Sequence, residues 1–268
     1  MKKTLLRLLS AIALSGCEKE IPVDYHQVGA LYVAEACLTQ EKTTVRLSTT
    51  QNVTDNSRNE HAVQGAVVVL SSDGYVLDTL RYTKQGVYTS DVAGVYPFTY
   101  QIDIDVDGHH FSSTSTMQQA PEINSFRFVW KNIVGERFLF GDLKLQDITG
   151  ENNCYFMHIY RNGVGYRWAV MTDEHSPGQE LQQLFQCCTQ RDMNKGEDDA
   201  LRDGDRIEVE VRSIDRRSYD YLYSMQVMDN AGTNPIQNWT GGCLGYFSAY
   251  HVETFSQVFH LTDIEEEN

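Results

Sequence analysis

Short segments in which apolar and polar residues alternate constrain the fold of this chain more than any other feature of its sequence. The clearest one runs from Phe98 to Val106. Its apolar positions are Tyr100, Ile102, Ile104 and Val106, and the polar positions between them are Gln101, Asp103 and Asp105. A period of two is typical of an antiparallel strand with one buried and one solvated face. The pattern therefore predicts strands over most of the chain.

Pairs of turn-forming residues separate the predicted strands. Asp73-Gly74 lies between the runs 66–70 and 75–80, and Asn162-Gly163 lies between two later runs. Such a pair between apolar runs is a strong hairpin signal, because both residues accept the positive φ of a two-residue turn. Many short strands at this spacing predict a β-sandwich.

The segment 118–121 is interpreted as a hinge between two such units. We predict a mainly β fold with two β-sandwich-like domains: residues 29–118, similar to immunoglobulin or transthyretin folds, and the β-rich residues 119–268. The second domain is expected to carry one helix near 216–229, where apolar residues recur at i, i+3 and i+4. Three further segments are interpreted as a short helix or irregular structure (181–188), a charged loop (193–199) and a final strand (243–252).

The N-terminus has the pattern of a secretory signal. Lys2, Lys3 and Arg7 precede the short apolar run 8–14, which is too short to span a bilayer. Leu14-Ser15-Gly16-Cys17 then resembles the lipobox of bacterial lipoproteins, in which the chain is cut before the cysteine and the cysteine is lipidated. We expect residues 1–16 to be a lipoprotein signal peptide, Cys17 to be lipidated and residues 17–28 to be a tether. The alternative is an ordinary signal with a chance cysteine.

The charge balance argues against several partners. The chain has 22 Lys+Arg against 37 Asp+Glu, a net charge of −15. Binding to a phosphate backbone requires clustered cations, so we expect no nucleic-acid partner. Anionic lipid headgroups are disfavoured for the same reason.

The cysteines do not form a metal-binding pattern. Besides Cys17 there are five, an odd number, and none lie in a C-x-x-C motif. We expect small buried thiols with at most one bridge, in which Cys187 or Cys188 pairs with Cys154 or Cys243. The connectivity among these four and Cys37 stays open.

No other motif supports a metal, a cofactor or catalysis. The run 103–108 resembles the start of a calcium loop, but Thr114 stands where an EF-hand needs a glutamate, so we interpret it as a strand. The adjacent His109 and His110 would point to opposite faces of a strand. Neither H-E-x-x-H nor G-x-S-x-G occurs. We therefore predict no catalytic residues, no metal and no cofactor.

Aromatic residues are the candidates for a contact with a ligand or a partner. Trp239 lies in a predicted loop beside Gly241-Gly242, and an aromatic side chain gives a large contact area. Tyr246 and Phe247 are further candidates, with a buried structural role as their alternative.

Several segments, taken in order, resemble a known family. They are Cys17–Glu20, Leu31–Ala36, Val63–Leu70, Tyr100–Ile104, Ser213–Asp215 with Tyr219–Leu222, and Gly241–Ala249. This combination resembles the Bacteroidota lipoproteins that carry domain of unknown function 4249. The family has no established activity, and its members often lie beside genes for TonB-dependent outer-membrane receptors. The resemblance implies a role in uptake or in receptor function at the cell envelope.

We therefore expect a non-enzymatic lipoprotein that is anchored by lipid to the outer membrane. The sequence does not determine whether it faces the periplasm or the cell surface. It would be accessory to a TonB-dependent transporter and bind the receptor, its ligand or both. The alternatives are a structural or adhesive surface lipoprotein and an unrecognised hydrolase. An adhesin would be expected to carry tandem repeats, and a hydrolase needs a paired constellation in a cleft.

Overall fold

A computed structural model describes residues 29–51, 61–148, 150, 152–174, 177–228 and 235–267 of the chain. The predicted signal peptide 1–16, the tether 17–28 and the predicted lipidation site Cys17 lie outside these residues. The described part is mainly β, as the alternating segments predict.

The described part contains seventeen strands and two α-helices, labelled here in chain order. The strands are β1 Tyr32–Leu38, β2 Thr43–Thr49, β3 Val67–Ser72, β4 Tyr75–Thr79, β5 Arg81–Tyr82, β6 Val87–Ser90, β7 Thr99–Val106, β8 His109–Thr116, β9 Glu122–Ile133, β10 Glu136–Gln146, β11 Cys154–Arg161, β12 Val164–Thr172, β13 Glu180–Thr189, β14 Arg206–Ile214, β15 Leu244–Ala249, β16 His251–Val258 and β17 Glu265–Glu266. The helices are α1 Gln190–Lys195 and α2 Arg216–Met228, and Leu261–Asp263 forms a 3-10 turn.

Two sheets pack face to face in a first sandwich. Their strand orders are β15-β1-β2-β6-β5 and β4-β3-β7-β8. The alternating segment 98–106 forms β7, and its four apolar side chains are buried in this core while Asp103 and Asp105 lie on the other face. The D-x-D-x-D-G run is therefore a strand ending in the 107–108 turn, as predicted.

Two further sheets form a second sandwich. Their orders are β13-β10-β9-β17 and β12-β11-β14-β16. The inner faces contribute a separate apolar core, which includes Phe128, Leu139, Tyr155 and Val209. Residues 117–121 run from β8 of the first sandwich to β9 of the second, where the sequence predicts a hinge.

The domain boundary needs a correction, because the chain returns to the first sandwich near its end. Strand β15, assigned by sequence to the second domain, pairs in parallel with β1 from Val33↔Leu244 to Leu38↔Ala249. Trp239 also lies in the first core. Residues 29–118 therefore make the first sandwich only together with 239–249. The alternating pattern shows that a segment is a strand, but not which sheet it joins.

Three local predictions also differ from the structure. Residues 181–188 are part of strand β13, although the spacing of Leu181, Leu184 and Phe185 is helical. Residues 193–195 of the predicted 193–199 loop belong to helix α1. The helix starts at Gln190, where Thr189 and Asp192 form a reciprocal capping box. The predicted strand 243–252 is two strands, which break at Tyr250.

Helix α2 forms where the sequence predicts it and lies at the junction of the two sandwiches. Its first turn is capped by Asp215, whose Oδ1 accepts a hydrogen bond from the Ser218 backbone N–H at 2.8 Å. Tyr221 and Leu222 on its buried face pack in one cluster with Phe156 of β11 and with Tyr250. Among the described residues, no helix combines the length and the apolar character needed to span a bilayer.

Candidate functional site

Two of the three predicted contact residues are part of the core. Trp239 is 2 % exposed and Phe247 is 0 % exposed, and both side chains pack inside the first sandwich. The indole Nε1–H of Trp239 donates to the Ala34 carbonyl at 3.0 Å. Tyr246 stacks on Tyr221 of α2, with ring centroids 4.9 Å apart. Neither Trp239 nor Phe247 is therefore a surface contact residue.

The Gly-Gly turn after Trp239 has a structural reason. Gly241 has a φ of +77°, and a Cβ at this position would lie 2.4 Å from the His110 carbonyl oxygen. Asn238 Oδ1 accepts hydrogen bonds from the Phe247 N–H and the Ser113 hydroxyl, both at 2.8 Å. The segment thus closes one edge of the first sandwich. The local sequence contains no signal that distinguishes a buried tryptophan beside a glycine turn from an exposed one.

Exposed aromatic side chains gather elsewhere, at one end of the first sandwich. Tyr75 is 76 % exposed and Phe98 is 49 % exposed, where most large apolar residues of this sandwich are buried. We call this end of the sandwich the aromatic tip, and its exposed apolar residues are Tyr75, Val76, Val95, Tyr96 and Phe98. None of them belongs to the predicted contact set, because exposure depends on the neighbouring strands.

The strand register places Tyr75 and Phe98 at the same end of one sheet. Ser72 of β3 pairs with Tyr75 on one side and with Tyr100 of β7 on the other. Since neighbouring strands lie about 4.8 Å apart, the backbones at Tyr75 and Tyr100 are separated by about 10 Å. Phe98 lies two residues before Tyr100, at the same end of the sheet.

The loop that carries Tyr96 and Phe98 is held by hydrogen bonds. The Val95 N–H donates to the Tyr100 hydroxyl at 2.9 Å, and the Phe98 N–H donates to the Val95 carbonyl at 3.0 Å. Tyr75 follows a two-residue turn in which Asp73 and Gly74 both have positive φ. Fixed backbones therefore present these rings to solvent, which lowers the entropic cost of binding.

A second cluster, formed by Arg212 and its aromatic neighbours, lies between the sandwiches. The Arg212 guanidinium lies 4.9 Å from the Phe156 ring centroid and 4.6 Å from that of Tyr250, and it forms an ion pair with Glu210. Because Phe156 lies on β11 and Tyr250 follows β15, the cluster joins the second sandwich to the first. Its groups are already partnered, so it has the character of a structural junction.

The five described cysteines are poor candidates for a nucleophile, because burial raises the pKa of each thiol. All five described cysteines are free thiols, so none of the disulfide pairings left open by the sequence forms among them. A cavity of about 470 Å³ is lined by Cys187, Cys188, Arg167 and Asp199. Burial raises the pKa of the Cys187 thiol to about 12, so this group is protonated at neutral pH. A protonated thiol is a poor nucleophile and a poor metal ligand.

Two further cavities lie among the described residues. A cavity of about 480 Å³ lies beside Asn162 and Arg206, and an apolar one of about 200 Å³ lies between Tyr221 and Ile236. Within the described ranges, no group of three or more His, Cys, Asp or Glu side chains could hold a metal ion. The surface best suited to a function is thus the aromatic tip, whose chemistry is apolar binding.

Comparisons with known proteins identify a family but no characterised relative. A family model described as "Domain of unknown function (DUF4249)" matches residues 18–256. A search of curated proteins finds no match. The matched range includes both sandwiches and ends within β16, before the 3-10 turn and β17.

Proposed function

The chain belongs to the family of domain of unknown function 4249, and from that premise we propose that it is a non-enzymatic, lipid-anchored accessory protein of a TonB-dependent outer-membrane transporter. The lipobox ending at Cys17 supports the anchor, and the gene neighbourhood of similar Bacteroidota lipoproteins supports the partner. In this role the protein binds the receptor through its own surface and participates in nutrient uptake. The export route, and not the fold, determines whether the protein acts on the periplasmic or the cell-surface face of the membrane.

The observation that carries the proposal is the aromatic tip. Large apolar side chains that are exposed together on a monomer are typical of protein–protein contact sites, and aromatic residues are enriched in such sites. Tyr75 and Val76 project from an edge strand, and Tyr96 and Phe98 project from the loop beside it. Because the chain has a net charge of −15, an apolar surface differs from most of its exterior and is a candidate contact site for a partner.

The position of the tip suits a membrane-anchored protein. Strand β1 begins beside the β7–β8 turn, since the Tyr32 hydroxyl donates to Asp107 at 2.9 Å. The tip lies at the other end of the same sheets. The eight residues of β7 place these ends about 25 Å apart. A tether that joins the lipid to β1 would reach the sandwich at the end opposite the tip, which supports the tip as a surface open to a partner.

Lipidation is tested by metabolic labelling with radioactive palmitate. We expect the wild-type protein to incorporate the label and Cys17→Ala to lose it, because the thioether forms on this sulfur. A matched Cys37→Ala variant should label like the wild type. Equal labelling of Cys17→Ala would exclude lipidation at this residue.

Partner binding is tested by affinity purification from detergent-solubilised envelopes at native expression, with gentle crosslinking. We expect a TonB-dependent receptor to copurify with the wild type. It should be lost from the triple variant Tyr75→Ser, Tyr96→Ser, Phe98→Ser, because the apolar contact is removed. The control is Val134→Ser with Val164→Ser, two exposed apolar residues of the second sandwich.

Recovery of the protein without a receptor would overturn the proposed partner. Loss of surface attachment or of cell aggregation in the tip variant, with the receptor absent, would instead support an adhesive lipoprotein. A receptor that binds the tip variant and the wild type equally would place the contact outside the aromatic tip.

A further inference from the structure

The last residues of the described chain form a short strand on the edge of the second sandwich. Glu265 and Glu266, which make up β17, pair in parallel with Val129 and Trp130 of β9. The Glu267 N–H then donates to the Trp130 carbonyl at 3.1 Å. This segment follows the range matched by the family model, which ends at 256. It adds a strand to the β9 edge of the second sandwich, and Ile264 just before it packs against the apolar core.

Each of these three glutamates meets a cation of the sheet. Glu265 contacts Arg127, Glu266 contacts Arg137, and the Lys131 Nζ lies 2.8 Å from Glu267 Oε2. Lys131 and Arg127 belong to β9 and Arg137 belongs to β10, so the cations form one basic surface beside the β9 edge. The chain as a whole has a net charge of −15, so this basic surface differs from its surroundings. Its charge is complementary to that of an acidic strand.

The ionic part of this attachment is weak enough to allow exchange. The three glutamate side chains are between 40 and 66 % exposed, and ion pairs of this kind are individually weak and screened by salt. Strand β9 is 12 residues long, whereas β17 pairs with two of them. A longer acidic strand would form more backbone hydrogen bonds on the same edge.

We propose that the β9 edge, with Arg127, Lys131 and Arg137, is a docking site for an extended acidic segment of another protein, and that residues 265–267 occupy it as an internal competitor. Binding adds a strand to the sheet, and displacement of the tail exposes the site. The proposal is independent of the aromatic tip and of the lipid anchor.

A second copy of this chain is a poorer occupant. Phe259 is buried in the core of its own sandwich, and only residues 260–264 separate it from β17. Three of those residues form the 3-10 turn, so the tail would have to unfold locally to reach another molecule.

The test measures binding of a fluorescent peptide with the sequence of residues 260–267 to purified protein by polarisation. A variant that lacks residues 261–268 should bind it saturably, and added salt should weaken the binding because the contacts are ionic. The intact chain should bind the peptide at least about tenfold more weakly, since its own tail leaves the edge open only part of the time. A peptide with the substitutions Glu265→Lys, Glu266→Lys and Glu267→Lys should not bind.

A full-length variant keeps the test valid if the shortened chain does not fold. Glu265→Lys, Glu266→Lys and Glu267→Lys in the intact chain repel the tail from the cations, so this variant should bind the wild-type peptide like the shortened chain. Glu253→Lys, at an exposed position of β16, is the matched control and should behave like the wild type.

Three results would overturn the proposal. The first is the absence of saturable peptide binding to both open variants. The second is equal affinity of the peptide for the intact and the open chains. The third is binding of the charge-reversed peptide with the affinity of the wild-type peptide. Sedimentation of the intact protein as a tail-exchanged dimer would assign the edge to a second copy, which also contradicts the proposed partner. A receptor is absent from all of these measurements, so their outcome does not depend on the proposed function.

Discussion

At the scale of single residues, Asp205 shows how a buried carboxylate organises a loop. Its side chain is buried, and it accepts hydrogen bonds from the Arg202 N–H at 2.7 Å, Asn162 Nδ2 at 2.8 Å and Arg161 Nε at 2.7 Å. Burial acts to raise the pKa of Asp205, but these hydrogen bonds outweigh it and hold the pKa below its usual range. The carboxylate thus ties the turn before β14 to the β11–β12 hairpin.

Asp205→Ala should lower the free energy of unfolding by about 2–3 kcal/mol, because it leaves buried donors without an acceptor. Urea unfolding monitored by circular dichroism measures the change. Because the carboxylate has a lowered pKa in the folded state, its contribution is present above the unfolded pKa and is lost as the pH falls through the folded pKa. The exposed control Asp198→Ala should stay within about 0.5 kcal/mol of the wild type.

His158 should make stability depend on pH near neutrality. Burial and the nearby Arg212 lower the pKa of His158, while Glu210 acts to raise it, and the Tyr160 ring lies 4.1 Å from the imidazole. The folded state therefore favours the neutral ring. As the pH falls below 6.5, the unfolded chain binds the proton more readily than the folded chain, and stability decreases.

The substitution His158→Gln should flatten the dependence of stability on pH between about 7 and 5, since it removes the titrating group. Urea unfolding midpoints at several pH values measure this slope, with His61→Gln as the control in another part of the chain. The same slope in His158→Gln and in the wild type would contradict the assignment.

At the scale of secondary-structure elements, the parallel pairing of β1 with β15 depends on one glycine. Gly245 has a φ of +88°, and a Cβ built on it would lie 2.2 Å from the Ala34 carbonyl oxygen. The two strands can therefore approach closely only if this position has no side chain. The pairing matters to the whole fold, because it brings the end of the chain back to the first sandwich.

Gly245→Ala should destabilise the protein by at least about 2 kcal/mol, since alanine has an unfavourable positive φ there and also meets the β1 backbone. Gly242→Ala is a matched control: its φ is +82°, but a Cβ would have no atom within 4 Å. It should lose only about 1 kcal/mol, the cost of the backbone conformation. Equal losses in thermal and urea unfolding would show that the close approach to Ala34 has no energetic effect.

At the scale of the whole molecule, the two sandwiches are joined by polar contacts as well as by α2. Asp215 Oδ2 accepts hydrogen bonds from the Ser115 hydroxyl at 2.7 Å and the Thr116 N–H at 2.8 Å, while its other oxygen caps α2. Arg212 stacks between Phe156 and Tyr250 across the same junction. These contacts should make the sandwiches unfold as one cooperative unit.

Calorimetry should therefore show a single transition in the wild type. Arg212→Ala should reduce stability by about 3 kcal/mol, because it leaves Glu210 without its partner in a largely buried site. The double variant Arg212→Ala, Asp215→Ala should separate the two sandwiches into two transitions. The control Arg81→Ala removes an exposed ion pair with Asp91 and should cost less than about 1 kcal/mol. Two transitions in the wild type would contradict the predicted coupling.

The sequence by itself determined the local structure. The alternation in 98–106 specifies a half-buried strand, Asp73-Gly74 specifies a tight hairpin, and the spacing of Tyr219, Leu222 and Tyr223 specifies a helix. Each of these signals is complete within a few residues, because side-chain direction follows from the period of the backbone. In these three segments the type of element is therefore readable without knowledge of its neighbours.

Only the tertiary structure decided which elements meet. Trp239 is buried, β15 joins the first sandwich and Glu265 meets Arg127, 138 residues away along the chain. The hydrogen-bond partners of a strand lie on other segments, so the strand pattern is the same whichever sheet it joins. The exposure of Tyr75 and Phe98 likewise follows from the end of the sheet at which they lie, and this depends on the packing of the whole sandwich.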